Sequence, residues 1–153
     1  MTKTRTPKET LAINTELVLP NDTNTLGNLM GGRLLHWMDV IAAISAHRLC
    51  KRVVVTASVN NVTFKRPIKL GAIVTLEARV SRSFSSSMEI VIDVFVEDRM
   101  TSDKIEAGQA IFTFVAVDQL GNPIQVPTII PETEQEEERF TAALRRKQLS
   151  LIL

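Results

Sequence analysis

The chain has one cysteine, Cys50, and two histidines, His36 and His47, among 153 residues. A lone thiol excludes an internal disulfide and any cysteine-rich metal site. Two imidazoles leave little material for a metal centre, so no metal ligand set is expected. No apolar run approaches the ~18 residues that a membrane-spanning helix requires. The N-terminus, MTKTRTPKETL, carries basic residues but no apolar stretch, and does not read as a secretory signal. Formal net charge is +1, which gives no strong field toward nucleic acid or a membrane surface. GxGxxG, GKS/T and GxSxG are all absent. No internal repeat or low-complexity linker appears. These absences point to a reducing, cytoplasmic setting with neither nucleic acid nor membrane as partner.

What remains is an ordinary globular composition, 44% apolar and 23% charged, at a length that suits one domain with a real core. Residues 1–8 read as a mobile tail, 9–130 as the domain, and 131–153 as a C-terminal helix and tail. TLAINTELVL (10–19) is a predicted strand ended by Pro20 and the turn-rich NDTN. Residues 31–50 are a predicted helix, apolar on nearly every side, and such a helix is expected to be buried nearly all round. His47, Arg48, Lys51 and Arg52 gather at its C-terminal end, where cations complement the helix dipole.

After residue 52 the period changes from 3.6 to 2. Strands are predicted over 53–65, 72–82, 88–97 and 106–117, with alternation such as Val74, Leu76, Ala78, Val80. Short connections predict an antiparallel meander with one apolar face. Thr133 and Glu136 form a capping-box pattern, with acids early and bases late in the helix that follows. The fold class is therefore α+β, with one helix against a twisted antiparallel sheet of five or six strands.

The stretch NDTNTLGNLMGGRLLHWMDVIAAISAHR (21–48) poses the chemical problem. Asp39 lies in the most apolar helix of the chain, and burying an unpartnered carboxylate is very costly. It faces a solvated pocket, pairs with a neighbour such as His36 three residues earlier, or has a functional role. Gly31 and Gly32 open the helix. Bare backbone amides there can hold an oxyanion, although a Gly-Gly pair also simply permits a tight turn or close packing. Asn24 reads first as a turn former. Cys50, at a helix end that disfavours the thiolate, reads as a packing residue.

The pattern NxxGNxMGGxxLxWMDxxAxxxAxR, from Asn24 to Arg48, closely resembles the acyl-CoA thioesterase branch of the hotdog superfamily. The likeness continues through TASVNNVTFKRPIKLGAIVTL, SSSMEIVIDVFVED, AIFTFVAVD and VPTIIPETEQEEERF, covering roughly residues 8–145. It looks like a single-domain bacterial-type acyl-CoA hydrolase, similar to one repeat of the tandem-hotdog cytosolic enzymes. The resemblance implies a long helix wrapped by a curled sheet, with two subunits joined into one sheet. It also implies active sites at the dimer interface and three dimers forming a hexamer. Asp39 matches the family's catalytic carboxylate, Asn24 its loop asparagine reaching from the opposite subunit, and Gly31 and Gly32 the amides that face the thioester carbonyl. For the coenzyme A portion, Lys65, Arg66, Arg82, Ser86 and Ser87 are candidate nucleotide-side contacts. Thr56 and Ser58 are candidates for lining the pantetheine channel. No cofactor is implied beyond the coenzyme A of the substrate itself. Two other readings stay open. One is an enoyl-CoA hydratase, whose branch uses an Asp/His pair. The other is a non-catalytic acyl-CoA-sensing module, disfavoured by the lack of room for a DNA-binding segment before residue 10.

Overall fold

A computed structural model describes residues 3–152. Five strands form one antiparallel sheet: β2 (Ala12–Leu17), β3 (Val53–Phe64), β4 (Ile73–Ser83), β5 (Ser87–Glu97) and β6 (Lys104–Val117). Two short strands, β1 (Thr4–Arg5) and β7 (Thr128–Ile129), pair in parallel beside it. The long helix α1 spans Gly31–Cys50, and α2 spans Glu134–Ile152.

Alternation assigns the two faces of the sheet. Val74, Leu76, Ala78 and Val80 of β4 stand opposite Val96, Val94, Ile92 and Ile90 of β5. All but Val96 are at most 0% exposed, and Ala110, Phe112 and Phe114 extend the same face on β6. Met38, Ala42, Ala46 and Leu49 of α1 pack onto it, which makes this helix the filling of a curled sheet, the hotdog arrangement. Apolar burial of this kind contributes roughly 25 cal/mol per Å² removed from water. The helix ends where Lys51 turns left-handed, φ 57°, and its N–H bonds back to the His47 carbonyl at 2.7 Å.

The outer face of the sheet is polar, and α2 is clamped across it. Arg146 Nε and Nη2 donate to the two Glu89 oxygens at 2.8 and 2.7 Å, and Arg139 Nη2 donates to both Asp93 oxygens. Such forked pairs satisfy carboxylates that would otherwise be costly at this depth. The pair with Glu89 raises the Arg146 pKa above its usual value. The predicted capping box is present: the Glu136 N–H donates to Thr133 Oγ1 at 3.1 Å, and the Glu136 carboxylate accepts from the Thr133 N–H at 3.3 Å.

Three expectations change. The strand order is β2-β4-β5-β6-β3, so β3 crosses to the far edge and pairs with β6 instead of continuing a meander. The polypeptide from residue 3 onward is tied down where a tail was expected. Thr4 and Arg5 pair with Thr128 and Ile129, and buried Pro7 and Thr10 belong to a 3-10 turn whose Thr10 hydroxyl accepts from the Val80 N–H. Residues 1 and 2 lie outside the described residues. Finally, α1 is not buried all round within one chain. Val40 and Ile44 are 47% and 41% exposed, and Val53, Val55 and Val59 are exposed on β3, the edge strand of the sheet.

Candidate active site

Asp39 sits in the middle of α1 at intermediate exposure. Its partner is not His36, which is exposed and makes no hydrogen bond or ion pair among the described residues. Instead Thr56 on β3 donates its hydroxyl to Asp39 Oδ1 at 2.8 Å. The helix thus supplies the carboxylate and the edge strand fixes one of its oxygens. The second oxygen has no partner among the described residues.

A register shift separates Thr56 from Ser58. Simple alternation would put both on one face of β3. The ladder pairs Thr56 with Phe114, on the inner face, but Ser58 with Thr113, on the outer face. A bulge at Ala57 inserts the extra residue. Ser58 consequently joins Ser87, Arg146 and Lys147 around a recess of about 410 Å³ on the far side of the sheet from Asp39. Arg82 is occupied locally as well. Its Nη1 donates to the Phe140 carbonyl at 3.0 Å and its guanidinium lies 3.8 Å from the Phe140 ring centroid, so it anchors α2. Ser86, in the β4–β5 turn, accepts from the Ala116 N–H through its carbonyl.

The second cluster surrounds the start of α1. Asn24, Gly31, Lys65 and Arg66 line a pocket of about 430 Å³ together with Asn28, Leu34 and Phe64. Asn24 Oδ1 accepts from the Leu26 and Asn28 amides at 2.9 and 3.2 Å. This is the turn-forming use expected of an Asn, but it also fixes the carboxamide, and Nδ2 has no partner among the described residues. No side chain caps α1, whose N-cap is Met30. Nor do the two glycines serve packing or an unusual backbone conformation. A Cβ on either Gly31 or Gly32 would meet no atom within 4 Å, and neither has positive φ. The first amides of α1 have no side-chain cap, an arrangement suited to an anion or a developing oxyanion. Lys65 is engaged by Glu106 at 2.8 Å, while Arg66 is exposed and unpaired among the described residues.

Within one chain the Asp39–Thr56 pair and the Asn24–Gly31 pocket are separate features. Residues that sequence reasoning passed over connect the pocket to the helix. Asp22, 8% exposed, accepts from the Leu19 N–H at 2.9 Å and pairs with Arg33 Nε at 3.2 Å. An Asp three residues after Leu19 and two after Pro20 carried the signal of a capped turn. Cys50 is half-buried, and burial pushes its thiol pKa up, with no need to invoke the helix end.

A carboxylate held on a buried helix, an uncapped Gly-Gly helix start and a curled sheet define a hotdog hydrolase-like site. The thioesterase superfamily model matches residues 26–102. The Bacillus subtilis protein YkhA, named an uncharacterized acyl-CoA thioester hydrolase, is 42% identical over 94% of this chain and 84% of its own length. Mouse acyl-coenzyme A thioesterase 11 is 37% identical over 90% of this chain, which spans only 23% of that longer protein. The Staphylococcus aureus acyl-CoA hydrolase, solved with butyryl coenzyme A and coenzyme A, superposes with TM-score 0.91 at 34% identity, covering 97% of this chain and 93% of that one. A hexameric acyl-CoA thioesterase superposes equally well, TM-score 0.91 at 36% identity, covering 95% and 94%. The chain belongs to the thioesterase superfamily.

Proposed function

We propose that this protein hydrolyses acyl-CoA to a free fatty acid and coenzyme A, with Asp39 as general base. A water attacks the thioester carbonyl carbon while Asp39 takes one of its protons. The carbonyl oxygen becomes an oxyanion, stabilised by amides at the start of α1 near Gly31 and Gly32. The tetrahedral species collapses, the C–S bond breaks, and the leaving thiolate takes up the proton held by Asp39, which restores the carboxylate. Asn24 of the partner subunit orients the water or the carbonyl. This sequence of steps draws on no cofactor.

The observation that carries the reading is the Asp39–Thr56 hydrogen bond, which orients a carboxylate with one oxygen still available. Spacing adds support. The Staphylococcus aureus acyl-CoA hydrolase has been solved with alanine replacing an asparagine, an aspartate and a threonine that lie 15 and 17 positions apart in its chain. Asn24, Asp39 and Thr56 have the same separations here.

The catalytic unit in this reading is a homodimer. Val53, Val55 and Val59 on the open β3 edge, with Val40 and Ile44 of α1, form the apolar surface that a second copy covers. That pairing brings the pocket around Asn24 of one subunit toward Asp39 of the other. Relatives solved as hexamers support a trimer of such dimers. Lys65 and Arg66 are the basic groups nearest the pocket and suit the coenzyme A phosphates. Thr56 contributes through its hydrogen bond to Asp39, and the recess holding Ser58 and Ser87 is on the opposite face. Among the described residues no helix is long and apolar enough to cross a membrane, and relatives named as cytosolic hydrolases favour a cytoplasmic site of action.

The hydratase reading loses its main support, because His36 and Asp39 do not interact. The test is thiol release from acyl-CoAs of graded chain length. Asp39→Ala is expected to lower kcat by about 10²–10⁴-fold, the usual contribution of a positioned base, without altering assembly. Unchanged turnover in that variant overturns the assignment.

A further inference from the structure

Asp22 is the most buried carboxylate near the candidate site, and none of its contacts is with the catalytic groups. It ties three separate pieces of chain together. Its Oδ2 accepts from the Leu19 N–H at 2.9 Å, closing the turn at Pro20–Asp22. Its Oδ1 pairs with Arg33 Nε at 3.2 Å, in the first turn of α1. Its main-chain carbonyl accepts from the Met30 N–H at 2.9 Å, at the residue that caps the helix. The loop between these anchors is itself closed, since the Asn24 N–H donates to the Asn28 carbonyl at 2.9 Å and the Gly27 N–H to the Asn24 carbonyl at 3.0 Å. Main-chain bonds from the Leu29 N–H to the Ile68 carbonyl and from the Leu70 N–H to the Gly27 carbonyl hold the far side of this loop, and Asp22 ties its near side to the start of α1.

The chemistry of that arrangement matters as much as its geometry. A carboxylate beside a helix N-terminus ordinarily turns onto the free amides and caps them. Here both Asp22 oxygens are taken, one by the Leu19 amide and one by the Arg33 guanidinium. The amides at Gly31 and Gly32 are left for another oxygen, and the Arg33 charge offsets the negative charge that would oppose an oxyanion forming there.

We infer that the Asp22–Arg33 pair is a positioning device that holds the Asn24 loop and the start of α1 in one frame and keeps the helix amides uncapped. The inference rests on the proposed thioester hydrolysis, in which those amides receive the oxyanion. Neither residue touches the reacting atoms. Both act through the groups they hold.

The test uses Asp22→Asn, Arg33→Gln, Arg33→Lys and the double variant Asp22→Asn/Arg33→Gln in the full chain. Asn at 22 still accepts from the Leu19 amide, so folding is expected to survive, and thermal unfolding of each variant checks it. Each charge-removing single variant is expected to lose about 10–100-fold in kcat, as small misplacements of a reacting group do, with KM within about twofold. Arg33→Lys keeps the charge and is expected to recover most of the rate. In the double variant the losses combine to far less than their product, because the two residues form one unit. Independently of activity, backbone amides at 24–33 are expected to exchange faster with solvent in Asp22→Asn. Multiplicative losses in kcat, or a loss confined to KM, overturn the positioning role. Unchanged amide exchange overturns the tether even if the wild-type protein proves to hydrolyse no acyl-CoA, a result that would refute the proposed function separately.

Discussion

Replacing Thr56 with valine removes a hydroxyl from Asp39 while leaving the shape of the side chain almost unchanged. The lost hydrogen bond is 2.8 Å long and is made to a charged acceptor, a class worth about 1.5–3 kcal/mol. Within the chain Thr56 is exposed and Asp39 only half-buried, so water replaces part of the interaction and the lower end applies. About 1.5 kcal/mol corresponds to roughly a tenfold fall in kcat, if the bond orients the base in the transition state. Valine suits a β-strand, and an accessible edge position is expected to change stability by no more than about 0.5 kcal/mol. Thr56→Ser restores the hydroxyl and most of the rate. The assay is steady-state thiol release from one acyl-CoA, with kcat and KM separated. A valine variant within twofold of the parent in kcat refutes the role given to Thr56, as does a serine variant just as slow as valine. The protein's own thiol interferes little, because burial holds the Cys50 pKa up.

Other consequences are equally specific. Gly31→Ala meets no atom in the chain and gains helix propensity of up to about 1 kcal/mol. It should unfold no earlier than the parent yet lose turnover, and full activity would show that the open space beside Gly31 is unused. Gly108→Ala places a Cβ 2.6 Å from the Thr63 carbonyl oxygen on the neighbouring strand. A loss of about 1–3 kcal/mol in denaturant unfolding is expected, and an unchanged midpoint refutes the close approach. Ser45 carries a buried hydroxyl with no hydrogen-bond partner among the described residues, so Ser45→Ala should be neutral or raise Tm by up to about 3 °C; a clear fall argues for a hidden partner. Cys50 favours its neutral thiol when folded, its pKa lying above the ordinary 9.0. That contribution to stability is complete below pH 9 and fades as pH rises through the folded-state pKa, and alkylation of the native protein should lag a free thiol until that range.

Periodicity located α1 and the strands to within two or three residues, because Val74 to Val80 and Ile90 to Val96 alternate cleanly between core and outer face. It did not reveal which strands are neighbours. Nothing in VVVTASVNNVTF says that β3 leaves β4 for the far side of β6. The bulge at Ala57 was equally invisible, since an extra residue breaks alternation without any compositional mark, and it sends Ser58 away from Thr56. The apolar breadth of α1 was legible, but its cause was not. Val40 and Ile44 face outward, 47% and 41% exposed within the chain. At the site, Asp39 stood out as a costly carboxylate, whereas its partner was an ordinary Thr seventeen residues on. Asp22 carried only the pattern of a capped turn, and its pairing with Arg33 links segments that only folding brings together.

If each active site is built from Asp39 of one subunit and Asn24 of the other, two inactive variants restore each other in a mixed dimer. Asp39→Ala and Asn24→Ala chains, each nearly inactive alone, can be co-expressed and the mixed assemblies assayed for thiol release. Random pairing makes half of the dimers mixed, and each mixed dimer contains one site with both residues intact. The account predicts recovery of about a quarter of the wild-type rate. A mixture no faster than the average of the two variants contradicts it.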